Sequence, residues 1–306
     1  MLRAMFQALS HNKSLRSFAE HSSLGRRLSS RFVAGMTVED ALQAAQRVNR
    51  RGIAVSLDSL GESATTEAQA RAAADVYHRL LNALNDRRYN ANVSVKLTHM
   101  GMNFSAALAE HLVAEIVAHA ARLNSFVRID MEGSDLTTAT LDLVERLHSQ
   151  PANRGHVGTV LQSSLYRTEA DTERLLAQGI RIRLCKGAYQ EGPAVAFARK
   201  ADVDANYLKL AKRMIASPVF CGIATHDEAI LCELSKFVTE QGIATSAFEF
   251  QMLYGIRRDL QRKLAAHGFG MRVYIPFGPE WFPYFMRRLA ERPANVLFLA
   301  KNVFKN

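Results

Sequence analysis

The run Ile180–Lys186, IRIRLCK, decides how this chain folds. It is a short β-branched stretch of strand length, followed at once by Gly187-Ala188-Tyr189 and then by the amphipathic helical pattern DANYLKLAKRMIAS, which starts at Asp204. The same unit recurs along the chain. GIAVSLD (from Gly52), NVSVKLT (from Asn92), FVRIDME (from Phe126) and VGTVLQS (from Val157) come before it. FCGIATH (from Phe220), SAFEFQM (from Ser246) and MRVYIPF (from Met271) come after. Between the runs lie helical patterns such as TTATLDLVERLHS and DEAILCELSKFVTEQG, and Asp204 and Asp227 read as the starts of two of these helices.

Eight strand-sized runs, each followed by a helical stretch, predict an α/β fold, a (β/α)8 TIM-like barrel. An open doubly wound sheet is disfavoured, because no G-x-G-x-x-G follows the first run. No Pro/Gly/Ser-rich linker breaks the series, so residues 51–306 read as one barrel and residues 1–50 as an N-terminal helical lead-in.

Composition narrows the class. Hydrophobic residues make up 48% of the 306, with mixed charges, as expected of a water-soluble globular protein. No apolar run approaches the roughly 20 residues needed to cross a bilayer. The cysteines, Cys185, Cys221 and Cys232, are odd in number and form no C-x-x-C pair, which argues against a disulfide framework or a zinc site. The net charge is +10, and half of that excess lies in residues 1–36, where Arg3, Lys13, Arg16, Arg26, Arg27 and Arg31 face Glu20 alone. This segment suits a basic surface, a mitochondrial presequence or a patch drawn to anionic lipid. Nucleic acid is not an expected partner, because no aromatics interleave with the basic residues and no binding motif appears.

In such barrels the chemistry gathers at the C-terminal ends of the strands. The chain sets Lys96, Asp130, Glu132, Gln162 and Arg183 there, with Lys186-Gly187-Ala188-Tyr189 after the fifth run. Thr225-His226-Asp227, Glu249, Gln251 and Tyr274 complete the rim. Barrel interiors are normally Val, Ile and Leu, so charged residues here need partners, water or a ligand. Lys96 and Asp130, on neighbouring strands, read as an ion pair, and Arg183 as bonded to Asp130 or Glu132. His226 has no second His or Cys at ligand spacing, so no metal is expected, and no Ser/His/Asp or G-x-S-x-G arrangement appears. Gly187 and Ala188 leave small backbone that phosphate oxygens can approach. In WFPYFMRRLAE, Trp281 to Glu291, helical spacing puts Tyr284, Arg287, Arg288 and Glu291 on one stripe and Phe282, Phe285, Met286 and Leu289 on the other. Three readings remain open on these grounds. They are a Schiff-base lyase using Lys96 or Lys186, a redox enzyme holding a phosphate-bearing cofactor, and a basic scaffold for an anionic partner.

The motifs SVKLT, RIDME, RLCKGAYQE, ATHDEA, EFQMLYG and YIPFGPEWFPYFMRRLAE, in this order, resemble those of the monofunctional FAD-dependent proline dehydrogenases. The resemblance runs from RFVAG, at Arg31, to the C-terminus. It implies a distorted barrel whose final helix lies over the barrel mouth. It implies that Asp130, Arg183 and Tyr274 act in catalysis, with Arg183 near the flavin N5. Met131 and Gln162 would contact the isoalloxazine, and Lys186, Gly187, Ala188, Thr225 and His226 would hold the ribityl and phosphate portion. Lys96, paired with Asp130, would grip the substrate carboxylate together with Arg287 and Arg288. Tyr189, Leu253, Tyr274 and Tyr284 would wall the pyrrolidine ring, and Tyr284 favours proline over hydroxyproline.

By the same resemblance, hydride would pass from C5 of L-proline to FAD, giving Δ1-pyrroline-5-carboxylate, and electrons would continue to membrane quinone. That implies a cytoplasmic enzyme in peripheral contact with the inner membrane, or a mitochondrial one if residues 1–30 are a presequence. Because the chain ends at Asn306, a separate pyrroline-5-carboxylate dehydrogenase is expected downstream.

Overall fold

The structure, a computed structural model, describes residues 30–61 and 63–291, the last five of them by backbone alone. Eight parallel strands close into one barrel in chain order. They are β1 (Ala54–Ser59), β2 (Ala91–Val95), β3 (Val127–Ile129), β4 (Val157–Gln162), β5 (Arg181–Cys185), β6 (Cys221–Ala224), β7 (Phe248–Leu253) and β8 (Gly270–Phe277). β8 returns to pair with β1, setting Tyr274 opposite Ser56. Each of the eight expected runs overlaps one strand. Helix α1 (Val38–Asn49) precedes the barrel. The strands alternate with α2 (Glu67–Asp86), α3 (Ala106–Arg122), α4 (Thr137–Ser149), α5 (Thr168–Ala177), α6 (Lys200–Ile215), α7 (Glu228–Glu240) and α8 (Arg258–Ala266), and α9 (Trp281–Glu291) ends the series. No helix of the described residues is long and apolar enough to cross a membrane.

Side-chain capping sets several helix starts. Thr37 and Asp40 form a reciprocal capping box on α1, with Thr37 Oγ1 accepting from Asp40 N at 3.1 Å and Asp40 Oδ2 accepting from Thr37 N at 2.9 Å. Asp227 caps α7 as the sequence suggests, its Oδ1 accepting from Ala229 N at 3.2 Å. Asp204 does not open α6. That helix begins a turn earlier, at Lys200, where Asp202 occupies the favourable N-terminal turn and Lys200 pairs with Asp204 four residues on.

Strand alternation divides the side chains into two sets. The outward set (Val55, Leu57, Val93, Val95, Ile182, Leu184 and Ile275 among others) is fully buried against the apolar faces of the helices. The inward set is polar to an unusual degree for a barrel interior. Ser56 and Asp58, Asn92 and Ser94, Arg128 and Asp130, Arg183, and Glu249 and Gln251 are all buried. Such groups persist in a core only when paired, and the pairing builds the site.

A second apolar cluster joins Phe32, Val33, Leu60, Ile256, Trp281, Phe282, Tyr284, Phe285 and Met286, with Leu253 packed against it. It fastens the start of α9 to the C-terminal ends of β1 and β7, so the final helix lies over the barrel mouth. Trp281 meets Phe285 edge-on at 5.8 Å between ring centroids. Tyr284 is only 7% exposed and belongs to the same apolar cluster as Phe282 and Phe285. A helix lying on a barrel mouth meets protein on more than one face. The side chains of Arg287, Arg288, Leu289 and Glu291 lie outside the described residues.

Candidate active site

Arg183 occupies the centre of the barrel, with its side chain 5% exposed. Its Nη1 donates to Asp130 Oδ1 at 2.8 Å and its Nε to Gln251 Oε1 at 2.5 Å. Its Nη2 reaches the hydroxyls of Ser94 at 3.2 Å and Ser56 at 3.3 Å. The guanidinium also lies 5.2 Å from the centroid of the Tyr274 ring. Five strands therefore hold one planar cation, and a rigid fork of this kind suits arginine rather than lysine. Gln251 is steadied in turn, its Nε2 donating to Glu249 Oε1 at 2.7 Å.

The other oxygen of Asp130 accepts from Tyr274 Oη at 2.8 Å. This occupancy corrects the expected Lys96–Asp130 pair. Lys96 Nζ donates instead to Asp58 Oδ2 at 2.7 Å and lies 3.5 Å from Tyr274 Oη. The physical reason is competition, since Arg183 and Tyr274 already take both oxygens of Asp130. Asp58, 1% exposed, also faces the phenol of Tyr77 on α2 at 3.5 Å. Sequence reasoning missed Asp58 and Tyr77. Asp58 was findable, because it ends β1 and shares the inward face with Ser56 as Lys96 does with Ser94.

Burial pushes the Asp58 carboxyl up and Lys96 opposes that rise. Burial, then Asp130 and Asp58, push the Tyr274 phenol well above its usual range, so it stays protonated. Two carboxylates, two cations and one phenol thus make a largely buried, locally neutral network at the C-terminal mouth.

The loop after β5 carries the remaining polar groups. Lys186 Nζ lies 2.6 Å from Asp204 and 2.9 Å from Asp227. Gly187 has φ +118°, and a Cβ there would stand 2.3 Å from Ser164 Oγ, so only glycine lets the loop pass so close to β4. Thr225 is buried and its Oγ1 accepts from Asp227 N at 3.1 Å. His226 Nε2 accepts from Leu253 N at 2.9 Å, a structural bond that ties β6 to β7. Gln162 is buried and donates to Glu132 O at 3.0 Å. Met131 sits in the principal apolar cluster. Ala188 is exposed, and Tyr189 is 42% exposed at the outer lip.

A hydrogen bond from Lys186 lowers the Asp227 pKa. For Asp204, burial acts upward and is outweighed by hydrogen bonds from Lys186 and Lys200. Depressed carboxylates give stability that is present above about pH 4 and lost as pH falls through their folded values. Asp227→Asn is therefore expected to flatten the acid limb of a melting-temperature profile against pH. An unchanged limb would contradict the clamp.

A closed barrel with a buried carboxylate–guanidinium–phenol network at its C-terminal mouth defines a (β/α)8-barrel enzyme. The family model for proline dehydrogenase matches residues 41–301. Proline dehydrogenase 1 of Bacillus subtilis (strain 168) is 40% identical over 306 residues, covering the whole of both chains. Proline dehydrogenase of Deinococcus radiodurans is 41% identical over 281 residues, covering 91% of this chain and 90% of its own. The solved structure of proline utilization A (PutA) from Bdellovibrio bacteriovorus superposes with a TM-score of 0.82 at 23% identity, a likeness of fold. It covers 92% of this chain, which in turn spans 34% of that PutA. The chain belongs to the proline dehydrogenase family and is an oxidoreductase acting on CH–NH donors.

Proposed function

We propose that the chain oxidises L-proline to Δ1-pyrroline-5-carboxylate with FAD as cofactor and membrane quinone as the final acceptor. The observation that carries this reading is Arg183, a cation fixed at the barrel centre on the side facing the mouth, in a chain of this family. FAD, when bound, would supply the hydride-accepting chemistry, and the protein's residues would hold the substrate beside it.

The donor set suits such a group. Arg183, Gln162 and Met131 would face the isoalloxazine, and the Gly187 turn with Ala188, Lys186, Thr225 and His226 would cradle the ribityl and phosphates. Lys186 already lies between two carboxylates, so holding a phosphate requires it to share its charge. On the substrate, Lys96, Arg287 and Arg288 would grip the carboxylate. The described cations of the mouth, Lys96 and Arg183, are matched by Asp58 and Asp130. The net positive charge that recognises the substrate is therefore assigned to Arg287 and Arg288. Tyr274, kept protonated, and Asp130 would hold the ring orientation, with Leu253, Tyr284 and Tyr189 as walls that exclude water.

The lyase alternative needs an amine nucleophile in a pocket that keeps it neutral, and both candidate lysines stand against carboxylates instead. For electron delivery we assign the basic segment of residues 1–36 to contact with the anionic face of the inner membrane from the cytoplasm. A separate pyrroline-5-carboxylate dehydrogenase would consume the product.

The test is incubation of purified enzyme with L-proline and a dye acceptor, followed by detection of pyrroline-5-carboxylate. Formation of the product supports the reading, and dye left unreduced at high proline overturns it. Arg288→Lys is expected to raise KM for proline about tenfold or more while flavin content is kept. Loss of flavin instead would assign Arg288 to the cofactor.

A further inference from the structure

The N-terminal mouth of the barrel, on the far side of Arg183 from the proposed catalytic site, opens into a cavity of about 460 Å3. Three guanidiniums line it, those of Arg128, Arg181 and Arg272, with one carboxylate, Glu249. Glu249 is committed to Arg272, which donates Nε to it at 2.6 Å and Nη1 to Val55 O at 2.7 Å. Among the described residues, neither Arg128 nor Arg181 forms an ion pair with a carboxylate.

Arg128 is 3% exposed. Its Nη1 donates to Thr159 O at 2.9 Å and Arg181 O at 2.6 Å, while its buried Nε has no hydrogen-bond partner among the described residues. Burial, then the nearby Arg183 charge, push this guanidinium down to about 9. The Glu249 charge opposes this shift but is already bonded by Arg272 and Gln251, and a bound anion would offset the remaining cost of burying Arg128. The position of both arginines is fixed rather than incidental. Their guanidiniums lie 4.7 and 5.4 Å from the centroid of the Phe126 ring, and Arg181 also lies 5.7 Å from that of Phe220. At Gly158 a Cβ would come within 2.2 Å of Arg181 O and 3.0 Å of Arg128 Nη1, so β4 leaves room for the pair.

We propose that this N-terminal mouth is a second binding site, for a small oxyanion bearing a carboxylate or phosphate group, gripped by Arg128 and Arg181. Arginine forks match both groups in shape. The site is separate from the substrate carboxylate clamp and does not depend on the reading of the C-terminal mouth.

The test titrates flavin-loaded enzyme with inorganic phosphate and, separately, with succinate, against sodium chloride at matched ionic strength, following the melting temperature. Saturable stabilisation by either anion is expected, about 5 °C at about a hundredfold excess over half-saturation. The anion that stabilises names the ligand chemistry. Arg181→Gln should abolish the shift while proline turnover is kept. No shift in the wild type beyond the chloride control overturns the site, as does an equal shift in Arg181→Gln. If that variant does not fold, wild-type crystals soaked in tungstate decide. Density against Arg128 and Arg181 supports the site, and density only elsewhere, or none, overturns it.

Discussion

Arg183→Met is expected to abolish proline oxidation and to cost about 3–5 kcal/mol of folding stability, as for a buried ion pair that loses one partner. The guanidinium holds Asp130, Gln251, Ser56 and Ser94 at once. Its removal leaves the 8%-exposed Asp130 carboxylate with only the Tyr274 phenol. Urea unfolding should show a lower midpoint with an unchanged slope. Adding Asp130→Asn to Arg183→Met should recover part of the stability, because no buried charge is left, and should recover no activity. Recovery of activity by the double variant would mean that Arg183 serves the fold alone.

Lys96→Met is expected to lower kcat/KM for proline about tenfold to hundredfold, the worth of one charge-assisted hydrogen bond of about 1.5–3 kcal/mol. Its effect on stability has a defined sign. Burial raises the Asp58 pKa, and the Lys96 charge is the main influence holding it down. Without Lys96 the folded value rises further above the unfolded one, so the folded state binds the extra proton more tightly. The Asp58 contribution to the variant's stability is then greatest at low pH and declines as pH rises from about 4 through the raised folded value. Lys96→Met/Asp58→Asn should show no such decline. A single variant with the pH profile of the wild type would contradict the Lys96–Asp58 pairing.

The barrel was legible because each strand announces itself locally, as IRIRLCK and FCGIATH do. Within each run the inward residues also follow from alternation, as with Asn92, Ser94 and Lys96. Partners across strands were not legible. β2 has β1 on one side and β3 on the other, so Lys96 had two candidate carboxylates. Which one it takes depends on who else claims Asp130, and the claimants, Arg183 and Tyr274, come from distant β5 and β8. The arginine pair at the opposite mouth was hidden for the same reason. Arg128 and Arg181 lie inside recognised strands, and only closure of the barrel brings them together. In α9 the helical period was readable, but its packing partners were not, because Phe32 and Leu60 meet the helix from elsewhere in the chain.

Flavin-dependent proline oxidation at the C-terminal mouth is tested most directly by the absorption spectrum of the purified native protein. The expected protein is yellow, with flavin bands that bleach when L-proline is added without oxygen. A colourless protein that borohydride inactivates only in the presence of a carbonyl substrate would contradict it.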